Sequence, residues 1–144
     1  MSTAKTEYTI HPYLDFWGRC EEAVEFYRQA LGAELVMLMR YRDAPPGSCG
    51  PTLPPNWSDK VMHARIRIGN STILLSDGCA EKQELCGFSL SLTAPSPAEA
   101  EKLFAALSKG GQVQMPLGKT FFSPAFGMVK DPFGLHWMVY VEQS

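Results

Sequence analysis

The apolar residues of this chain follow two spacings, and the two spacings alternate in a repeated order. Where every second residue is apolar the pattern predicts a β-strand, and where apolar residues recur every three or four positions it predicts an α-helix. Helical spacing occurs at residues 20–31 and 97–107. Strand spacing occurs at residues 8–16, 34–41, 60–68, 72–76, 88–92, 112–117, 121–129 and 135–141. The order strand, helix, strand, strand, strand therefore occurs twice.

Local signals predict where the two helices begin and end. Gly32 follows the first helical segment and can adopt the left-handed conformation that terminates a helix. Before the second segment, Ser96 can cap the helix, Pro97 fits its first position and Glu99 completes a capping box. Gly110-Gly111 is expected to close that helix.

Composition narrows the class of protein. The chain has 144 residues, of which 45% are hydrophobic and 19% charged, as expected for one globular domain. Its net charge is -2 and it has no basic block, so we expect no nucleic-acid partner. It has no long apolar run and no apolar signal region at its start, so we expect no membrane association and a cytoplasmic location.

The four cysteines are Cys20, Cys49, Cys79 and Cys86, and they form no Cys-x-x-Cys pair. We therefore expect reduced thiols rather than a disulfide or a zinc site. The one long irregular segment, residues 43–59, contains five of the eleven prolines. It is interpreted as a surface loop that is either a lid or a solvated connection.

Sequence motifs in both halves resemble those of a known superfamily. They are Pro12-Tyr13-Leu14-x-Phe16, Ala23-x-x-Phe26-Tyr27, Leu31-Gly32-Ala33-Glu34, His63-Ala64-x-Ile66-x-Ile68-Gly69, Ser76-Asp77, Leu103-Phe104-x-x-Leu107, Gly110-Gly111-x-Val113-x-Met115-Pro116-Leu117 and Phe126-Gly127-x-x-x-Asp131-x-Phe133-Gly134-x-x-Trp137. In this order the chain is similar to PhnB-like members of the vicinal oxygen chelate superfamily, which includes glyoxalases, bleomycin resistance proteins and dioxygenases.

The resemblance implies an α+β fold of two tandem βαβββ modules that form an open curved sheet. One domain would span residues 1–144, with module one at about 8–77 and module two at about 86–141. The resemblance also implies a homodimer in which the concave side of the sheet holds a metal ion or a small ligand. No strand followed by a Gly-rich turn and a helix is present, so no methyltransferase chemistry is predicted.

Strand parity sorts side chains into a core side and a cavity side, because alternate residues point to opposite faces. In the first strand Ile10, Leu14 and Phe16 form the apolar set. Trp137 falls on the core side. The ligand-binding candidates on the cavity side are His11, Tyr13, His63, Arg65, Arg67, Phe121, His136, Met138 and Tyr140.

These candidates have two interpretations each. The arginines are either anchors for a carboxylate or phosphate, or members of solvated or interface ion pairs. Tyr13, Phe121, Phe122 and Tyr140 form either an aromatic wall for a ligand, or core and dimer contacts.

The resemblance implies a metal ligand on the first and last strand of each module, commonly His and Glu. Only His11 matches one of these four places, and Met138 stands where the final glutamate would be. We therefore predict no metal centre and no cofactor. The alternative is a rearranged divalent-metal site of His11, His63 and His136, which would otherwise be hydrogen-bonded histidines along a polar wall.

Three functions follow. The first is binding of a small molecule in the cavity without the usual metal, and the second is a metal-dependent lyase, isomerase or dioxygenase that uses His11 and other histidines. The third is a structural dimer without a ligand. The sequence does not indicate a substrate and leaves open whether the protein is an enzyme.

Overall fold

A computed structural model describes residues 7–45, 55–78 and 84–143. The first module contains β1 (Tyr13–Asp15), α1 (Cys20–Leu31), β2 (Glu34–Arg40), a 3-10 turn (Tyr41–Asp43), β3 (Val61–Ile68) and β4 (Ser71–Ser76). The second contains β5 (Leu90–Ala94), α2 (Pro97–Ser108), β6 (Gln112–Gly118), β7 (Phe126–Lys130) and β8 (His136–Val141). This order confirms the predicted α+β fold of two tandem modules.

Each module contributes one four-stranded mixed sheet. The N-terminal sheet has the strand order β1-β4-β3-β2 and the C-terminal sheet has the order β5-β8-β7-β6. In both sheets the first strand of the module lies parallel to the last, and the other pairs are antiparallel. Neither described helix is long and apolar enough to cross a membrane.

Three strand predictions need correction. The first strand was expected at 8–16 but covers only Tyr13–Asp15, and Ile10, assigned to the apolar set, is 95% exposed. The fifth strand runs from Leu90 to Ala94 rather than from 88 to 92. The seventh begins at Phe126 rather than near 121, because Thr120 donates its backbone N–H to the Ser123 carbonyl and closes a turn there.

The two helices are capped by different means. Ser96 accepts a hydrogen bond at its hydroxyl oxygen from the Glu99 backbone N–H at 3.2 Å, as its sequence position predicts. At the start of α1, the Asp77 carboxylate accepts from the Cys20 backbone N–H at 2.8 Å. Its other oxygen accepts from the Val61 backbone N–H at 2.8 Å, so this buried carboxylate joins α1 to β3.

Aromatic rings and one carboxylate connect the modules. Tyr27 of α1 lies 5.8 Å from the Trp137 ring of β8, and Trp137, assigned to the core by parity, is only 3% exposed. Asp131, in the turn before β8, accepts hydrogen bonds from the Tyr27 hydroxyl at 2.6 Å and from Trp137 Nε1 at 2.9 Å. Phe133 of the same turn packs edge-on against Phe16 at 5.9 Å. The core is therefore continuous across the module boundary.

Gly127 explains why β7 can lie so close to its neighbours. A Cβ at this position would be 2.8 Å from the Phe104 ring and 2.9 Å from the Leu117 Cα. Both distances are shorter than real Cβ contacts allow, so only glycine fits where β7 passes between α2 and β6.

The predicted lid segment is described only at its two ends, because residues 46–54 lie outside the described ranges. At its C-terminal end Trp57 packs on Trp17 at 5.0 Å and donates from Nε1 to the Gly78 carbonyl at 2.6 Å. Among the cysteines, Cys20 is a buried free thiol and Cys86 an exposed one, while Cys49 and Cys79 lie outside the described residues.

Candidate functional site

Each sheet has one face covered by helices and one face turned away from them, which we call the open face. On β8, Trp137, Val139 and Val141 are buried against the helices, whereas His136, Met138 and Tyr140 alternate with them on the open face. On β3, Ala64 and Ile66 are buried and the exposed Arg65 and Arg67 alternate with them. The predicted cavity residues on β3 and β8 therefore lie on open faces.

The open face of the N-terminal sheet has a central row that combines a cation with apolar side chains. The strand register places four residues side by side: Tyr13, Leu74, Arg65 and Met37. Next to this row, the rings of Tyr13 and His63 stack with centroids 5.8 Å apart. Tyr13, His63 and Arg65 are thus brought together as the sequence analysis expected, although they come from segments fifty residues apart.

Arg65 differs from every other arginine of the chain. Five of the six arginines have a carboxylate partner: Arg19 with Glu22, Arg28 with Glu25, Arg40 with Glu21, Arg42 with Asp59, and Arg67 with Glu34. Within the described residues the side chain of Arg65 makes neither a hydrogen bond nor an ion pair. Its guanidinium remains available to an anion on the open face.

Arg67 and His11 lie outside this group. Arg67 donates to Glu34 at 2.8 Å on the exposed end of β3, which corresponds to the solvated ion pair that the sequence analysis gave as one of its alternatives. His11 precedes β1 and lines a 360 Å³ cleft, together with Thr72 of β4 and Ser91 of β5.

The open face of the C-terminal sheet is mainly apolar at its centre, with Lys130 and His136 in the row at one end. Its central row consists of Ser91, Met138, Met128 and Met115 on neighbouring strands. Beside the row, Phe122 contacts the rings of Phe121, Phe126 and Tyr140 at 5.2, 5.1 and 6.4 Å. Phe121 itself is almost fully exposed. Tyr13, which the sequence analysis placed in the same aromatic wall, lies on the other sheet.

His136 is held by a neighbour two strands away. Its Nδ1 lies 3.0 Å from Oε1 of Gln114 on β6, although β7 separates the two strands. An amide oxygen accepts hydrogen bonds, so Nδ1 is the donor in the tautomer that makes this contact.

The strand registers show that the two open faces are equivalent. In β2 a register shift separates Leu35 from Met37, and in β6 a shift separates Val113 from Met115 in the same relation to the next strand. By this alignment Arg65 corresponds to Met128. The same positions therefore carry a cation in one module and a thioether in the other.

Five open-face residues were not predicted from the sequence: Leu74, Met37, Met115, Met128 and Phe126. A strand's own alternation does not give its register with its neighbour, and β2 and β6 each contain register shifts that break simple parity. The signal that could have found them is the order of the motifs, since aligning the two modules strand by strand pairs Met37 with Met115.

The residues do not fit the divalent centre that the superfamily resemblance implies. His63 lies on the N-terminal sheet and His136 on the C-terminal sheet, with His11 ahead of β1. These three histidines do not converge, and in the parts of the chain that the structure describes no three His, Cys, Asp or Glu side chains do. The alternative site of His11, His63 and His136 is therefore not assembled within one chain.

Asp15 is a further polar group at the edge of the N-terminal open face. Partial burial, and secondly the nearby Asp77 carboxylate, raise the pKa of Asp15 above its usual value. Asp15 lines a 430 Å³ cleft between the modules with Arg19 and Lys130. Arg19 is already engaged by Glu22 and lies 4.4 Å over the Phe133 ring. We assign no ligand to this cleft.

Comparison with known proteins gives consistent matches over nearly the whole chain. The profile of a family described as Glyoxalase/Bleomycin resistance protein/Dioxygenase superfamily matches residues 9–139. Protein YjdN of Escherichia coli (strain K12) is 32% identical in an alignment 141 residues long, and the match covers 92% of this chain and 94% of that protein.

Two solved structures agree with this. The crystal structure of protein PA1353 from Pseudomonas aeruginosa has 44% identity and a TM-score of 0.84, covering 96% of this chain and 100% of that one. A PhnB protein from Bacillus cereus, described as a putative 3-demethylubiquinone-9 3-methyltransferase, has 27% identity and a TM-score of 0.74, covering 93% and 99%. The predicted resemblance to PhnB-like proteins is confirmed.

Proposed function

Because this chain belongs to the Glyoxalase/Bleomycin resistance protein/Dioxygenase superfamily, we propose that it binds a small organic anion with an apolar body on its open faces. Arg65 would hold the anionic group, and the methionine and aromatic side chains of the C-terminal sheet would contact the apolar part. One observation carries this proposal: among the described residues, the guanidinium of Arg65 has no carboxylate partner, whereas the other five arginines each have one.

The charge and surroundings of Arg65 support an anionic ligand. A guanidinium can donate two parallel hydrogen bonds to a carboxylate or phosphonate, which fixes orientation as well as charge. Leu74 and Met37 flank Arg65 in the same row, so an anion held by the guanidinium would also contact apolar side chains. A hydrogen bond to a charged group contributes about 1.5–3 kcal/mol in such settings.

The difference between the two sheets supports a ligand that also has an apolar part. Equivalent positions carry Arg65 on one sheet and Met128 on the other, and the latter adjoins Phe126 and Tyr140. We propose that two copies of the chain bring a cationic open face opposite an apolar one. A planar or aliphatic acid would then contact both.

The proposed site needs no divalent metal at the position of the superfamily's final ligand. Met138 stands there, and a thioether is a poor ligand for the hard or borderline divalent ions that carboxylates and imidazoles hold. The residues present therefore support binding, and we assign no reaction.

A thermal-shift screen with a panel of aromatic and aliphatic carboxylates and phosphonates tests this proposal. A ligand present at a hundred times its Kd stabilises the folded protein by about 2.7 kcal/mol. We expect Arg65→Ala to weaken any hit by roughly ten- to hundredfold, and Arg67→Ala to leave it unchanged. Arg67 is the matched control, because it lies two residues away on the same face but is paired with Glu34.

Two results would contradict the proposal. One is a hit that binds Arg65→Ala as tightly as the unchanged protein, because the anion would then be held elsewhere. The other is one equivalent of divalent metal retained after purification without chelators or a histidine tag, with loss of that metal in His11→Ala.

A further inference from the structure

Three methionines lie side by side across the C-terminal sheet, and we propose that they form, with His136, a binding site for the soft monovalent ions Cu(I) and Ag(I). The register pairs Met115 with Met128 and Met128 with Met138 on β6, β7 and β8. Residues paired in this way share one face of a sheet. No carboxylate or thiol takes part.

The spacing of the strands lets the three sulfur atoms converge. Adjacent strands lie about 4.8 Å apart, so the outer two Cα atoms are separated by roughly 10 Å with Met128 between them. Each methionine side chain has three rotatable bonds and can turn its thioether toward the centre. Met115 is 43% exposed, which gives an ion access from solvent.

His136 supplies a nitrogen beside the sulfur atoms. Its Cα is paired with that of Lys130 on β7, yet its ring reaches Gln114 on β6. The side chains of His136 and Gln114 therefore meet over β7 on the open face, near Met128, which precedes Lys130 by two residues on the same side. In the tautomer in which Nδ1 donates to Gln114, Nε2 is the nitrogen that would bind the ion. A histidine whose other nitrogen donates to a protein oxygen is the usual form of a metal ligand.

The chemical type of the ligand atoms determines which metal ions the site can bind. Thioether sulfur is a soft ligand that favours Cu(I) and Ag(I), whereas magnesium, calcium and manganese prefer oxygen ligands. A set of three thioethers and one imidazole has no negative charge to stabilise a divalent cation. We therefore expect no stoichiometric binding of zinc.

The N-terminal sheet provides an internal control. Its equivalent row has Met37 where the other has Met115, but Arg65 stands in the place of Met128. A fixed positive charge at the centre of the row repels a cation, so Met37 should not take part. On the C-terminal sheet Lys130 also lies on the open face, but it is in the next row and its Cε lies near Gly134 in the turn before β8.

The experiment is an anaerobic titration with Cu(I), repeated with Ag(I), followed by NMR of protein labelled in the methionine methyl groups. The titration uses a variant with Cys49→Ser, Cys79→Ser and Cys86→Ser, because thiolates bind these ions more strongly than thioethers. We expect one equivalent to bind, with shifts at the methyl signals of Met115, Met128 and Met138 and none at Met37.

Conservative variants separate binding from folding. Met128→Leu keeps the volume and the apolar surface but removes the central sulfur, so it should abolish the one-equivalent binding while circular dichroism stays unchanged. Met37→Leu should bind as the parent does. Gln114→Leu removes the group that orients His136, and we expect about a ten- to hundredfold loss of affinity.

The Arg65→Ala variant distinguishes failure of this proposal from failure of the proposed anion site. It should weaken anion binding and retain the metal, because Arg65 lies on the other sheet. Absence of shifts on addition of either ion would overturn the metal site. Equal shifts at Met37 and Met115, or full binding by Met128→Leu, would do so as well.

Discussion

Asp131 accepts more hydrogen bonds than any other carboxylate among the described residues. Its two oxygens accept from the Tyr27 hydroxyl, Trp137 Nε1 and the backbone N–H groups of Phe133 and Leu135. The side chain is buried, so each of these donors would lack a partner without it. Asp131→Ala should lower the free energy of unfolding by about 3–5 kcal/mol, measured by urea denaturation.

The control for this prediction is Asp59→Ala. Asp59 pairs with Arg42 at an exposed position, and surface pairs of this kind contribute less than about 1 kcal/mol. Tyr27→Phe should fall between the two, because it keeps the ring contact with Trp137 and loses only one hydrogen bond. Equal losses for Asp131→Ala and Asp59→Ala would contradict the assignment.

Because the Cys20 thiol is buried, we expect the free energy of unfolding to depend on pH. Burial, with secondary contributions from Asp77 and Asp15, raises the pKa of Cys20 well above its usual value. Above about pH 8.5 the unfolded chain loses this proton and the folded chain keeps it, so stability falls as pH rises, by up to about 1.4 kcal/mol per pH unit from this group. Urea denaturation between pH 7.5 and 10 should show this slope reduced in Cys20→Ala.

Thiol labelling checks the same property by another route. Iodoacetamide at pH 8 should modify the exposed Cys86 in the native protein and reach Cys20 only after unfolding. Rapid native labelling of Cys20, located by peptide mass spectrometry, would argue against its burial.

At the scale of the secondary-structure element, we expect mutations at the starts of the two helices to lower the free energy of unfolding by different amounts. Ser96→Ala removes a local cap at the surface and should destabilise by about 1 kcal/mol. Asp77→Ala removes a buried acceptor that two backbone N–H groups share, at Cys20 and Val61, and should cost about 3 kcal/mol. Chemical denaturation of both variants checks the order, and a larger loss for Ser96→Ala would contradict it.

The same comparison shows what the sequence could predict. The α2 cap was predictable because Ser96, Pro97 and Glu99 are neighbours in sequence. The α1 cap was not, because Asp77 is 57 residues from Cys20, and α1 itself offers only Arg19 at that position. Local signals thus located both helices and gave the module order.

Strand ends and registers depend on partners far along the chain. β1 is short because only Tyr13–Asp15 finds a partner in β4, although the alternation begins at residue 8. The register shifts between Leu35 and Met37 in β2, and between Val113 and Met115 in β6, contain no Gly or Pro that would announce them. The alternation along each strand therefore predicted that Arg65 and Met138 lie on the open faces. Alternation alone could not show that Met128 and Met115 lie in the same row as Met138.

At the scale of the whole molecule, we expect the chain to associate with a second copy through its open faces. Each exposes apolar side chains, including Tyr13 and Met39 on one sheet and Met115 and Phe122 on the other. Contiguous apolar surface of this kind marks an interaction site in soluble proteins. Sedimentation velocity should therefore show a homodimer, in which an open face of one copy covers an open face of the other.

Charge substitution locates that interface. Met39→Lys and Phe122→Lys would each place an unpaired ammonium between the copies, and burying such a charge costs several kcal/mol. Each should raise the dimer Kd by at least about tenfold, whereas Glu101→Lys on the exposed surface of α2 should leave it unchanged. A dimer equally sensitive to Glu101→Lys would place the contact on the helices. In that case the Arg65 and Met128 faces of two copies could not share one ligand, and the anion would have to bind to a single open sheet.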